Sequence, residues 1–304
     1  MIRDLEHADY PQVAALQNAH YLHHFDHSPQ QIENSDALAR EKYGSRFGRI
    51  VLEQEGKVQA GLLFYPPLEL SGVFRFQIFG NPAHYSALYL DFLTRVSPFS
   101  PRAVESVVRE DMQDMDFLAH AGLVNRYQSW GAHLKLSSFE YSRFQLLEEK
   151  LFLDGYELNS LEHSGSEALW QELYVLFLET WKDAPYNPTT TPDFSSFEDF
   201  RDSVDTGRAF YAAARGKIVG YTLLSRPSSK GEVSSEHTAI HPQHRTKGLA
   251  TTLKATALEW ARREGVREAS TGGTVMNLPM LRVNQKLGYA FEPMWCTWWL
   301  ELNP

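Results

Sequence analysis

The feature that most narrows the fold of this 304-residue chain is a repeat of its own punctuation. Gly56-Lys57-Val58 recurs as Gly216-Lys217-Ile218, an offset of 160 residues. Each glycine separates two apolar runs: Ile50-Val51-Leu52 from Val58 to Phe64 in the first copy, and Phe210 to Ala214 from Ile218 to Leu224 in the second. Strand-forming runs joined by a turn glycine read as a hairpin, because glycine takes positive φ without steric cost. The same offset carries Pro82 onto Pro242 and His84 onto His244. A helical stretch precedes each hairpin, Asp9 to His20 and Glu167 to Trp181, and another follows each Pro-x-His. The expected fold class is therefore α/β, as two related domains, each a central mixed β-sheet flanked by helices. The expected boundaries are 1–138 for the first domain, 139–154 for a helical linker carrying Leu146, Leu147, Leu151 and Phe152, and 155–304 for the second.

The second copy contains the chain's most specific local signal. The apolar strand end Thr238-Ala239-Ile240 runs into His241-Pro242-Gln243-His244, then Arg245-Thr246-Lys247-Gly248-Leu249-Ala250, and a long helix follows. Leu249, Leu253, Ala257, Trp260 and Ala261 fall on one helical face, and Gly265 supplies a stop. A loop entering a helix presents unpaired N–H groups and the positive end of the helix dipole, which suits a phosphate or pyrophosphate. Arg245 and Lys247 add charge, and Gly248, lacking a Cβ, lets a ligand approach the backbone. Val266 to Thr271 reads as a short strand, Asn277 to Leu287 as a helix ended by Gly288, and Tyr289 to Leu302 as strand-rich. Trp295, Trp298 and Trp299 in that last segment read as sheet and core packing.

Composition excludes several classes. The net charge is −9; up to residue 152 Lys and Arg number 14 against 19 Asp and Glu, and after it 15 against 19, so neither half is basic. Nucleic acid is not an expected partner. A lone cysteine, Cys296, excludes an intramolecular disulfide and a cysteine metal cluster. His20, His23, His24 and His27 pair at one-turn spacing if helical. No carboxylate completes a recognised motif among them, so a solvated polar face is expected and no metal. There is no apolar run of membrane-spanning length and no signal segment at the N-terminus. A cytoplasmic protein is expected, monomer or homodimer.

The loop and its surroundings resemble the GNAT family of N-acetyltransferases. Arg245-Thr246-Lys247-Gly248-Leu249-Ala250 fits the family's Gln/Arg-x-x-Gly-x-Gly/Ala loop throughout. Asn277-Leu278-Pro279-Met280-Leu281-Arg282-Val283-Asn284-Gln285-Lys286-Leu287-Gly288-Tyr289 is similar to the Asn-x-x-Met-x-x-x-Asn-x-x-Leu-Gly-Phe segment of the branch that includes two-domain, mycothiol-synthase-like enzymes. The resemblance covers residues 155–304. It implies acetyl-CoA as co-substrate and an amine of a small molecule as acceptor. The implied cofactor-binding residues are Ala239, Ile240, His241, Arg245, Thr246, Lys247, Gly248, Leu249, Ala250, Thr251, Asn277, Met280 and Asn284, with Asn277 on the pantetheine arm. At the same offset the first domain has Tyr85-Ser86-Ala87-Leu88-Tyr89-Leu90, without either basic charge or the glycine, so it is expected to be a scaffold and cleft wall that does not bind acetyl-CoA.

Acetyl transfer needs a base for the attacking amine, a donor to the thioester oxygen and an acid for the leaving thiolate. The family's usual glutamate, six residues before Ile240, is Ser234 here, which leaves Glu236 as first candidate base and His237 as second. In a regular strand Glu232, Ser234, Glu236 and Thr238 share a face, and a bulge would change which side chains do. The family's usual acidic tyrosine is Asn284, so Tyr289, another aromatic or water takes that role, or the thiolate leaves unassisted. The same departures motivate an alternative, a non-catalytic acetyl-CoA-binding module. A third reading, peptidyl or aminoacyl transfer from a tRNA-borne donor on the same doubled fold, needs a basic groove, against which the acidic halves argue. Asp183, Tyr186 and Asn187 lie in a proline-rich stretch able to line an acceptor cleft.

Overall fold

The computed structural model describes residues 1–21, 27–68, 70–112, 114–162, 164–185, 187, 196–203 and 208–302. In chain order these form β1 (Ile2–Asp4), α1 (Tyr10–His20), α2 (Pro29–Tyr43), β2 (Gly48–Gln54), β3 (Lys57–Tyr65), β4 (Val73–Gly80), α3 (Tyr85–Val96), β5 (Ala103–Arg109), α4 (Asp114–His120) and β6 (Val124–Lys135). Then come α5 (Gln145–Leu153), β7 (Tyr156–Glu162), α6 (Glu167–Trp181), α7 (Phe197–Ser203), β8 (Arg208–Ala214), β9 (Lys217–Leu224), β10 (Glu232–Ile240), α8 (Leu249–Arg263), β11 (Glu268–Thr274), α9 (Leu278–Leu287), β12 (Ala290–Phe291) and β13 (Trp295–Glu301). No helix among the described residues is long and apolar enough to cross a membrane.

The repeat read from the sequence is a repeat of structure, residue for residue. β2 and β8 begin and end 160 residues apart, and β3 and β9 begin 160 apart. Both hairpins turn through two left-handed residues, Glu55 (φ 52°) and Gly56 (75°) in one, Arg215 (52°) and Gly216 (73°) in the other. That is the turn whose twist matches the flanking strands. Even the register slip recurs, between Leu52 and Glu53 and between Ala212 and Ala213.

The chain divides into two compact units, Met1–Gln128 with Pro293–Pro304, and Ser129–Glu292. This departs from the expected cuts at 138 and 155. In the first unit the strand order is β1-β2-β3-β4-β5-β13, with β13 antiparallel to β5 from Trp295 opposite Arg109 to Glu301 opposite Ala103. In the second it is β6-β11-β10-β9-β8-β7, and β6 runs antiparallel to β11 from Ser129–Thr274 to Lys135–Glu268. Each sheet is thus completed by a strand from the other half of the sequence. The expected linker and the residues before it, from Ser129 on, belong to the second unit, and the C-terminal strand belongs to the first. Cys296 and Trp298 are buried in the first unit's core with Phe74, Phe76, Phe92 and Leu118. In the second unit α6 and α7 cover one face of the sheet through Trp170, Leu173, Phe177 and Phe200, packed on Tyr221, Leu223 and Ala239. α8 buries Leu249, Leu253, Ala257, Leu258 and Ala261.

Candidate acyl-transfer site

The site begins where β10 ends. The His241 amide still donates to Val219 O on β9 (2.9 Å), and Pro242–His244 then makes one tight turn. Thr246 and Gly248 take left-handed φ of 64° and 98°, and α8 starts at Leu249. Among the described residues nothing accepts from the amides of Thr246, Lys247, Gly248, Leu249, Ala250 and Thr251. A run of orphan donors at a helix start is an anion cradle in search of an acceptor. The two cations beside it are anchored. Arg245 donates through Nε to Ile240 O (3.0 Å) and through Nη2 to Asp183 Oδ2 (2.8 Å). Lys247 Nζ donates to the Tyr156 hydroxyl (3.0 Å), which also meets His244 Nδ1 (2.9 Å). Burial and the nearby Lys247 charge hold the His244 pKa below its usual value.

Gly248 has a different reason from the one its sequence suggested. A Cβ there would lie 2.7 Å from Leu147 Cδ1 of α5, so the side left free by the glycine is filled by a leucine. The positive φ and this close approach both call for glycine. Asp183 and Asn187, expected as cleft residues, are the partner of Arg245 and a buried side chain respectively. Tyr186 lies outside the described residues, as do His23 and His24, while His20 Nε2 donates to Asp114 Oδ2 (2.8 Å) in the first unit.

Next to the loop the sheet opens. β10 and β11 pair in parallel from Glu232–Glu268 only as far as Ser235–Thr271, although β10 runs on to Ile240 and β11 to Thr274. Thr271 Oγ1 closes the last rung by donating to Ser235 O (3.2 Å). Just there β10 slips against β9: Ser235 faces Leu224 and Thr238 faces Thr222, so Glu236 and His237 together oppose one residue. The bulge breaks the regular alternation of the strand. Ser235 turns toward α8, where Lys254 Nζ donates to its hydroxyl (2.8 Å). His237 turns toward α6, edge-on to Phe177 and with Nδ1 2.9 Å from the Tyr221 hydroxyl. Burial lowers the His237 pKa to about 4, so the ring is neutral at pH 7 and Nδ1 accepts from Tyr221. Glu236 is exposed, with no ion-pair or hydrogen-bond partner among the described residues.

The remaining wall comes from α9 and the segment after it. Asn277 caps α9, its Oδ1 accepting from the Met280 amide (3.3 Å). Met280 is half-buried. Asn284 is fully buried, and neither its Nδ2 nor its Oδ1 has a partner. Tyr289 is buried, its hydroxyl likewise unpartnered, and burial raises its pKa. Its ring faces Lys254 Nζ at 5.7 Å. Unsatisfied amide and hydroxyl groups in an interior cost free energy unless something pairs with them, so this region fits a polar ligand arm. Lys254, 2% exposed, escaped the sequence reading, although it lies one helical turn beyond Ala250 and next to Leu253 on the buried side of α8.

The first unit repeats this architecture with different residues at the corresponding positions. β4 and β5 pair in parallel only from Val73–Ala103 to Arg75–Glu105, and the rung equivalent to Ser235–Thr271 is the ion pair Arg75–Glu105 (2.7 Å). Tyr85 to Leu90 forms no loop; it is the opening of α3, and Tyr85 is fully buried.

Residues 168–289 match the model of the acetyltransferase (GNAT) family. Among solved structures, a GCN5-related N-acetyltransferase from Sphaerobacter thermophilus is similar over 100% of this chain and 96% of its own, at 14% identity and a TM-score of 0.67. A tandem GNAT protein from the clavulanic acid biosynthesis pathway matches over 100% and 99%, at 18% identity and a TM-score of 0.61. A GCN5-related N-acetyltransferase from Kribbella flavida matches over 90% and 95%, at 14% identity and a TM-score of 0.53.

Proposed function

We propose, from the match of residues 168–289 to the acetyltransferase (GNAT) family model and the likeness of the whole fold to a tandem GNAT protein, that the second unit transfers an acetyl group from acetyl-CoA to an amine of a small molecule. The observation that carries the donor is the run of orphan amides from Thr246 to Thr251 beside Arg245 and Lys247. A diphosphate would satisfy those donors at the positive end of α8. Ala239, Ile240 and His241 lie at the open end of the β10–β11 fork, where backbone groups are available to an amide-bearing arm. Asn284 offers a buried donor and acceptor to the same arm, and Asn277 and Met280 frame the start of α9. Acetyl-CoA supplies the activated acyl group; the chain supplies position and proton management.

Glu236 is the base in this reading. Its carboxylate is exposed at the bulge and free to take a proton from an amine. His237 serves instead as a fixed element. A ring already engaged by Tyr221 and neutral down to about pH 4 is a weak base and a good wedge for the bulge. The first unit, with a buried tyrosine and an ion pair at the corresponding positions, is the scaffold.

The test is thiol release from acetyl-CoA with a panel of small amines, alongside calorimetry. Saturable binding with amine-dependent release supports the proposal. Binding without turnover for any amine turns the reading to a non-catalytic acetyl-CoA-binding module, and no binding overturns the donor assignment.

A further inference from the structure

The tyrosine that would protonate the departing thiolate is replaced by Asn284, whose carboxamide carries no acidic proton at neutral pH. Yet a cation is buried in the same region. Lys254 Nζ lies at the apex of the fork, 2.8 Å from Ser235 Oγ and 3.5 Å from Thr271 Oγ1, on the last rung before β10 and β11 separate. No carboxylate among the described residues forms an ion pair with it. From β10 and β11 it meets the hydroxyls of Ser235 and Thr271, and from the segment after α9 the ring of Tyr289, which is the titratable group packed against it. A buried ammonium without a counter-ion is costly, and a chain gains nothing in stability from one.

The hydrogen-bond directions matter. An ammonium only donates, so Ser235 Oγ accepts from Lys254 and its own O–H is left to donate elsewhere. Among the described residues, nothing accepts that proton from Ser235. The buried polar atoms of Asn284 and the hydroxyl of Tyr289, whose ring faces Lys254, are also unpartnered. Ser235, Asn284 and Tyr289 thus each hold buried polar groups that the unit itself leaves unused.

We propose that Lys254, acting through the Ser235 hydroxyl, supplies the proton that the leaving thiolate takes up. The inference rests on the acetyl-transfer reading above. The amine nitrogen forms its bond to the thioester carbon, the carbon–sulfur bond breaks with its electron pair on sulfur, and Ser235 O–H passes its proton to that sulfur. Lys254 N–H re-protonates Ser235, the neutral lysine regains a proton from solvent, and the proton shed by the amine goes to Glu236. Ser235 is the catalytic residue of this relay and Lys254 the residue that positions and recharges it. Burial lowers the Lys254 pKa to about 7, so both its forms are populated near neutrality, as a proton relay requires.

The wild-type chain already tests this. Its kcat for thiol release should fall on an alkaline limb with a midpoint near the Lys254 value of about 7, because the protonated form is the donor. Lys254→Met should lower kcat by about a hundredfold and abolish that limb, with acetyl-CoA affinity by calorimetry within about threefold of wild type. Ser235→Ala removes only an oxygen and should reproduce the kcat loss in a chain of wild-type circular dichroism. Lys254→Arg keeps the charge but not the titration and should stay slow and flat above neutrality. A Ser235→Ala kcat within threefold of wild type, or a wild-type kcat without an alkaline limb, overturns the relay while leaving the donor reading intact. A wild-type chain that binds no acetyl-CoA, or turns none over, overturns the relay together with the reading it rests on.

Discussion

Tyr85 and Arg245 stand 160 residues apart and do the same thing in their own units. The Tyr85 hydroxyl donates to Gly80 O at 3.1 Å, and Arg245 Nε donates to Ile240 O at 3.0 Å. Each ties the end of a strand to the segment beyond it. Those segments differ: Tyr85 opens α3 directly, whereas Arg245 opens a loop whose amides stay unpaired. Arg245→Gln should therefore weaken acetyl-CoA binding by about tenfold, a loss of about 1.4 kcal/mol, without changing the fold. Tyr85→Phe should cost about 1 kcal/mol of stability by removing the hydroxyl that meets Gly80 O and His20 Nδ1, and leave affinity unchanged. Calorimetry and urea melts on both variants check the pair; an affinity loss in Tyr85→Phe equal to that in Arg245→Gln would refute this division of labour.

Gly248 makes a separable prediction. Gly248→Ala places a Cβ 2.7 Å from Leu147 Cδ1 and forces an L-residue to φ 98°. The contact is with the far end of a leucine, which can shift, so the summed cost should be about 1–2 kcal/mol. Combining it with Leu147→Ala should return the part due to contact and none of the part due to backbone strain, a positive coupling in a double-mutant cycle. Strict additivity of the two single costs would show that Leu147 does not sit on Gly248 in solution.

Much of the fold is legible in the chain itself, for a physical reason. Turn glycines and strand-to-helix junctions are local, so Gly56, Gly216, Pro82 and Pro242 announce a doubled fold, and the loop from Arg245 to Ala250 announces itself by composition alone. Strand partnership is not local. The alternation from Trp295 to Glu301 identifies a strand but carries no address, and its partner is β5 of the first unit. A bulge at Glu236–His237 is foreseeable as a feature that would redirect side chains, but which one turns inward depends on the aromatic cage of Phe177 and Tyr221. Lys254 stays hidden because a lysine in a helical pattern is ordinarily assigned to solvent. Gly248 reads as room for a ligand because Leu147, a hundred residues earlier in the chain, cannot be seen against it.

His237 couples stability to pH. Its folded pKa, about 4, lies below the ordinary value of 6.5, so the unfolded chain binds the proton more readily between those limits. Stability from this group is intact above about pH 6.5 and is lost as pH falls toward 4, by about 3 kcal/mol in total. His237→Gln, which keeps an acceptor for Tyr221 but does not titrate, should flatten that part of the profile. Urea midpoints at pH 4, 5, 6 and 7 for both chains measure the difference; parallel profiles would mean that His237 is not buried neutral.

Glu236 and His237 are adjacent, and the bulge sends them to opposite fates: one exposed beside the fork, the other shut into the α6 side of the sheet. Removing the wrong one should hurt the wrong property. Glu236→Gln should reduce kcat by about a hundredfold or more and leave the urea midpoint in place, because an exposed unpaired carboxylate contributes little to stability. His237→Gln should shift the urea midpoint at acid pH and keep kcat at pH 7 within about threefold of wild type. If instead kcat survives in Glu236→Gln and collapses in His237→Gln, the base is the histidine, and the site must open far enough to hydrate its ring before the amine is deprotonated.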